Sequence, residues 1–182
     1  MALQCYHREG WLGADFRYMQ RVTSTNDLVL DAGQQGAPEG LVIVAEEQTA
    51  GRGRLARRWN APPGTCLLMS LLFRPPEPFA YYAGRIPMLC GLALVEAVRH
   101  VAGLSVALKW PNDLIIAHSD DTWHKVAGML SEIGMQNNVP AFVVIGIGLN
   151  VNVPRALLPD LAPDAASPVS YTHLTLPTKR IV

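Results

Sequence analysis

Phe142-Val143-Val144-Ile145-Gly146-Ile147-Gly148-Leu149-Asn150-Val151-Asn152-Val153 is the stretch on which the fold turns. A run this rich in β-branched residues suits a pleated strand. Glycine weakens a strand interior. Gly146 and Gly148 therefore mark a place where another backbone or a ligand comes close to a central strand. Asn150 and Asn152, at its end, either contact that ligand or cap the strand.

The neighbouring segments supply partners for such a strand. Val126 to Ile133 is apolar enough to be strand or helix. Val106 to Trp110 and Leu114 to Ala117 read as a hairpin-like pair around Pro111-Asn112-Asp113, with a polar turn from His118 to Thr122. A helical pattern runs from about Tyr82 to Val101, preceded by Pro75, Pro76 and Pro78, and Pro87 is a candidate for its true start. Cys66 to Phe73 and Leu41 to Glu46 are short apolar runs expected to be buried strands. Phe16 to Val22 alternates as a strand. Thr23, Ser24 and Thr25 then offer hydroxyl caps to a helix running through Leu28, Val29 and Ala32 toward Gly33 and Gly36. Thr49 to Trp59 suits no core element. Five or six strands with irregularly placed helices, and no internal repeat, predict an α+β fold with a mixed, largely antiparallel sheet flanked by helices.

Length and charge narrow the function. A chain of 182 residues with 49% hydrophobic residues buries one sizeable core. Fifteen basic residues balance fifteen acidic ones, so no global field draws the molecule onto DNA or an anionic membrane, and neither partner is expected. Cys5, Cys66 and Cys90 are odd in number and widely spaced, which argues against a disulfide framework or a zinc site and for a reducing cytoplasm. Cys66 and Cys90 read as apolar filler, and His124 as a surface residue. No stretch has the make-up of a signal peptide or the length of a membrane span.

The chemistry concentrates in two cationic clusters. In Gly51-Arg52-Gly53-Arg54-Leu55-Ala56-Arg57-Arg58-Trp59, alternating glycines free the backbone and four arginines repel one another unless an anion arrives. The alternative is a solvated basic turn or a nucleic-acid patch. Trp59 beside it can stack on a planar ring, or simply be core. Lys109-Trp110-Pro111-Asn112-Asp113, with Lys125 following, brings cations and a carboxylate around a tight turn, a set able to manage a nucleotide's phosphates and magnesium; a turn with surface lysines is the plainer reading. Ser24, Thr25, Asn26 and Gln48 are small neutral polar residues placed after strands, suited at least to capping.

In order along the chain, Ser24-Thr25-Asn26, Gln48 to Arg54 with Arg58-Trp59, Lys109 to Asp113, Lys125-Val126-Ala127-Gly128 and Gly146 to Asn152 resemble the motif set of biotin protein ligases, over about Asp15 to Asn152. The resemblance implies a catalytic domain related in fold to class II aminoacyl-tRNA synthetases, with biotin, ATP and Mg2+ as its small molecules. The implied reaction joins biotin to ATP as biotinyl-AMP and then passes biotin to a lysine of a biotin carboxyl carrier protein. On this resemblance Ser24, Thr25 and Gln48 bond the biotin head, and Asn26 with Arg52-Gly53-Arg54 binds biotin and orders over the adenylate. Arg54 and Lys125 meet carboxylate and phosphate. Lys109, Asn112 and Asp113 serve the ATP phosphates and the metal, with Asp113 as the metal residue. Trp59 lies along the adenine, Asn150 sits near the adenylate, and Gly51 and Gly128 belong to the same binding set. Arg52, Arg54, Lys109 and Lys125 are the expected catalytic residues. A mixed anhydride that water destroys calls for a mobile cover, a role the glycine-rich arginine loop suits. Because the acceptor supplies the nucleophile, no Ser-His or Cys-His pair is required.

Alternatives are a lipoate protein ligase, similar in fold, and a catalytically silent biotin- or nucleotide-binding fragment. Homodimer formation stays open. Some members carry an N-terminal helix-turn-helix domain; the short stretch ahead of Ser24 is not expected to hold one. The family's C-terminal helices and small β-barrel have no matching pattern after Asn152. The expected division is therefore a ligase catalytic domain over 1–167, incomplete at its C-terminal end, and a non-native tail over 168–182. Val169-Ser170-Tyr171-Thr172-His173-Leu174-Thr175-Leu176-Pro177-Thr178 can be spelled, codon by codon, by a transposon-based sequencing adapter.

Overall fold

The computed structural model describes residues 10–117, 122–162 and 164–168. Seven strands form one sheet: β1 (Phe16–Val22), β2 (Val42–Gln48), β3 (Cys66–Phe73), β4 (Val106–Lys109), β5 (Asp113–Ala117), β6 (Trp123–Gln136) and β7 (Val139–Asn150). Their order is β1-β2-β3-β7-β6-β5-β4, with β1 and β2 parallel and every other neighbouring pair antiparallel. The parallel pair is joined through helix α1 (Thr25–Gln34), as a parallel connection demands a crossover. The α+β expectation thus holds.

Three local expectations are refined. The ambiguous Val126 to Ile133 is the middle of β6, whose fourteen residues pair with β7 over most of their length. This brings the strand total above the five or six expected. The long helix divides into α2 (Phe79–Ala83) and α3 (Ile86–Ala102), and Pro87 lies in the first turn of α3, where a missing N–H costs nothing. The turn at 118–121 and the tail over 169–182 lie outside the described residues.

β7 is the centre of the sheet, and its alternation explains the layers. Val143, Ile145, Ile147 and Leu149 face a large core with Leu94 and Val98 of α3 and with Val126 and Met129 of β6. The other face carries Phe142 and Val144, which join Val29 of α1, Leu41, Ile43 and Leu72 in a second core. α1 covers only that end of the face. Beyond it come Gly146, Gly148 and Asn150, aligned with Ser70, Leu68 and Cys66 of β3 and, for the two glycines, with Leu130 and Gly128 of β6.

Candidate active site

The uncovered half of that face is the floor of a cavity of about 390 Å³. Of the residues that the family resemblance implies for the site, all line it except Gly51, which stands at the base of the arginine loop; Asn152, the other asparagine at the strand end, is exposed and does not line it. The glycines make the depth. A Cβ at Gly146 would overlap the Asn26 carboxamide, and one at Gly148 would overlap the Trp59 indole. These two positions hold no side chain because side chains from elsewhere occupy the space above them.

One side of the cavity is neutral and hydrogen-bonded. Ser24 immediately precedes α1 and its side chain makes no capping bond; instead Gln48 Oε1 accepts from the Thr25 N–H at 2.7 Å and stands 3.0 Å from Thr25 Oγ1. A glutamine at the end of β2 therefore caps the helix that follows β1. This replaces the expected hydroxyl cap. Ser70 Oγ lies 2.8 Å from Thr25 Oγ1 and donates to Asn26 Oδ1 at 2.5 Å. Ser24, Thr25, Asn26 and Ser70 are all buried, and the bonds that join Ser70 to Thr25 and Asn26 offset the loss of water for those three.

The opposite side is charged. Lys125 Nζ and Asp113 Oδ1 are 2.8 Å apart, a charge pairing rather than a well-directed hydrogen bond. Arg54 donates to Asn112 Oδ1 at 2.9 Å, while Asn112 Nδ2 donates to the Met129 carbonyl and so ties the β4–β5 turn to β6. Lys109 pairs in register with Asp113 and its side chain is exposed at the rim. Trp59 lies over Gly128 and Gly148 with Lys125 Nζ 5.5 Å from its ring centre, and its buried indole N–H has no partner. Asn150 is buried and donates to the Ala166 carbonyl at 2.9 Å.

The arginine loop roofs the neutral side. A bridge between Arg52 and Arg58, and bonds from the Gly53 N–H to the Arg57 carbonyl and from the Trp59 N–H to the Gly51 carbonyl, close it into a tight turn. Leu55 and Ala56 sit in the left-handed region, a backbone cost that non-glycine residues bear only when surrounding bonds impose it. Arg52, one of the four crowded arginines, has its charge met within the protein. It is gripped by Glu132 and Asp27.

Ser70, Glu132, Asp27, Leu161, Ala162, Asp164 and Ala165 carry no motif in the sequence. Ser70 had a signal: it is the one hydroxyl in the apolar run Cys66 to Phe73. Leu161, Ala162, Asp164 and Ala165 line the cavity because the Lys125 N–H donates to the Asp164 carbonyl and the Ala166 N–H to the Lys125 carbonyl. No pattern in the sequence points to that. Cys66 and Cys90 are half-buried, and burial pushes both thiols up, Cys90 to about 11. His124 is half-buried beside Thr122.

Comparison with known proteins agrees with this layout. The model of the biotin/lipoate A/B protein ligase family matches residues 18–150. The chain is 34% identical over 159 residues to the bifunctional ligase/repressor BirA of Bacillus spizizenii, covering 87% of this chain and 47% of that protein. It is 34% identical over 156 residues to the biotin–[acetyl-CoA-carboxylase] ligase of Mycobacterium tuberculosis, covering 83% of this chain and 54% of that one. The chain thus spans about half the length of these relatives. The biotin protein ligase of Leishmania major, solved with biotinyl-5-AMP, superposes with a TM-score of 0.68 at 28% identity, over 88% of this chain and 65% of that one. Sequence match and sheet geometry agree that the chain belongs to the biotin/lipoate A/B protein ligase family.

Proposed function

We propose that this chain is the catalytic region of an ATP-dependent biotin protein ligase. Biotin and ATP give biotinyl-AMP and pyrophosphate, and biotin then passes to a lysine of a biotin carboxyl carrier protein or carrier domain of a carboxylase. One observation carries the reading: a neutral, hydrogen-bonding pocket and a cationic pocket share one glycine floor beneath one arginine loop. Biotin has the matching halves, a ureido ring of donors and acceptor and a carboxylate on a chain.

In this reading Thr25, Gln48, Ser70 and Asn26 hold the ureido ring, with Ser24 shaping the wall. That pocket also argues against lipoate, whose dithiolane ring offers no hydrogen-bonding group to a wall of polar side chains. The carboxylate of biotin points along the floor toward Arg54 and Lys125. There its oxygen attacks the α-phosphorus of ATP, the bond to pyrophosphate breaks, and the cations offset charge that grows in the transition state. Lys109 and Asn112 attend the leaving phosphates at the rim, and the adenine lies along Trp59 near Asn150. In the second step the acceptor amine attacks the biotinyl carbonyl, the bond to AMP breaks, and the amine releases a proton. The loop keeps water from the anhydride between the two steps.

Magnesium fits as an ion carried in on the nucleotide. Asp113 offers one carboxylate, already paired with Lys125, and no three His, Cys, Asp or Glu side chains converge among the described residues. One carboxylate with substrate phosphates is an ordinary magnesium environment. Asp113 is thus the residue to hold the ion, whose charge would screen the phosphates.

The proposed domain runs through Ser167, whose hydroxyl donates to the Val151 carbonyl, with 168–182 assigned to a non-native tail. The cytoplasm, where ATP and carrier proteins meet, is the proposed compartment. Among the described residues no helix is long and apolar enough to cross a membrane.

The test is incubation with ATP, magnesium, radiolabelled biotin and a carrier domain. Label on the carrier is the expected result. Transfer of lipoate instead would overturn the reading. Because the chain spans about half of its relatives, a second reading is a binding fragment: biotin held at equilibrium without transfer is the outcome that favours it.

A further inference from the structure

Arg52 makes three charged hydrogen bonds, all to the protein itself. Its guanidinium donates to Glu132 Oε1 at 2.8 Å and to Glu132 Oε2 at 2.9 Å, a forked pairing, and to Asp27 Oδ1 at 2.5 Å. Two carboxylates of the protein face this cation, and the guanidinium holds its proton more firmly than usual, chiefly because it is hydrogen-bonded to Glu132 and less because of Asp27. Glu132 has a second duty. Its Oε2 also accepts from Asn26 Nδ2 at 2.7 Å, which turns Asn26 Oδ1 toward Ser70 above Gly146. A carboxylate only accepts, so it admits one orientation of the carboxamide.

We infer that Glu132 is a positioning residue: one β6 carboxylate pins the arginine loop through Arg52 and fixes the orientation of Asn26 in the pocket beneath. Other polar atoms of the wall have set roles as well. Asn26 Oδ1 takes the Ser70 hydrogen, and Gln48 Oε1 is occupied by the Thr25 N–H, so the Gln48 amide nitrogen is left to donate. Roof and pocket wall therefore share one anchor, which lies on neither the loop nor α1. What the pinned loop encloses rests on the ligase reading; the pin itself does not.

Limited trypsin digestion of the ligand-free protein reads the pin directly, since Arg54, Arg57 and Arg58 lie on the loop and are exposed. Glu132→Gln keeps the side chain's size and removes its charge. Cleavage within the loop should rise about tenfold, as expected when a forked, partly exposed ion pair loses one charge. Cleavage after Arg99, on α3, serves as the internal standard and should not change. Arg52→Ala should raise loop cleavage equally, and the double variant no further. Loop cleavage in Glu132→Gln within about twofold of the parent would overturn the pin, as would an equal rise after Arg99. Should Glu132→Gln not fold, Arg52→Ala reads the same pin from the loop side with the same two outcomes.

The second duty is read in the Arg52→Ala background, where the loop is already released from Glu132. There Glu132→Gln should weaken biotin binding about tenfold more by releasing Asn26; an unchanged dissociation constant would overturn that half. If the parent binds no biotin, the ligase reading falls while the digestion result stands.

Discussion

Phe142 and Val144 share one face of β7 with Gly146, Gly148 and Asn150, and the two ends of that strand do opposite work. At the first end the side chains fill the space under α1 and are completely buried. At the second, Gly146 and Gly148 carry no side chain, and the space goes to Asn26, Trp59 and the cavity. Alternation is the same throughout. What differs is volume: the fold's stability is gathered at one end so that the other can stay hollow.

The largest effect should come from breaking the filled end. Phe142→Ala should cost about 3–5 kcal/mol by cavity formation, read as a shift in the denaturant midpoint, while turnover per folded molecule stays near the parent's. A comparable loss of turnover would show that the two ends are not separable. At the hollow end, Lys125→Ala should slow adenylate formation about 100-fold, or ~2.7 kcal/mol, in a pyrophosphate-release assay.

Filling the hollow end sharpens the contrast. Gly148→Ala would displace the Trp59 indole, and we expect the KM for ATP to rise about tenfold with a smaller loss of stability. Ser70→Ala removes the donor to Asn26 and should weaken biotin binding by about 1–2 kcal/mol, measurable by calorimetry. A gain in affinity would mean that Ser70 competes with the ligand instead of orienting the pocket.

The smallest effect lies on the opposite face of the sheet. Burial raises the Cys90 thiol from 9.0 to about 11, so the fold prefers its protonated form. Its contribution is complete below the unfolded value and is lost as pH rises through that interval, because the unfolded chain then releases a proton that the folded one keeps. Cys90→Ala should flatten that part of the stability-against-pH curve and leave biotin transfer unchanged.

Much of this was legible because it is local. A hydroxyl-rich Ser24-Thr25-Asn26 after a strand announces a helix start, and Gly146 and Gly148 inside a β-branched run announce a close approach. Short apolar runs gave the strands, save Val126 to Ile133, which periodicity leaves ambiguous until β7 lies beside it. What approaches the glycines was not legible. Asn26 and Trp59 reach them from segments more than eighty residues away in sequence, through the packing of α1 and the folding back of the arginine loop.

Residue types and their order determined the class of fold, the two cationic clusters and the neutral polar set, because charge, hydroxyl chemistry and strand propensity belong to the residues themselves. The tertiary structure decided the partners. Arg52, which by composition awaits an anion, meets Glu132 and Asp27; Gln48 caps a helix that it does not adjoin; and Lys125 is held by Asp113 and by the backbone of 164–166. The physical reason is that a charge or a donor does not specify what satisfies it. Sheet register and the direction each strand brings its side chains from do, and those exist only once the chain has folded.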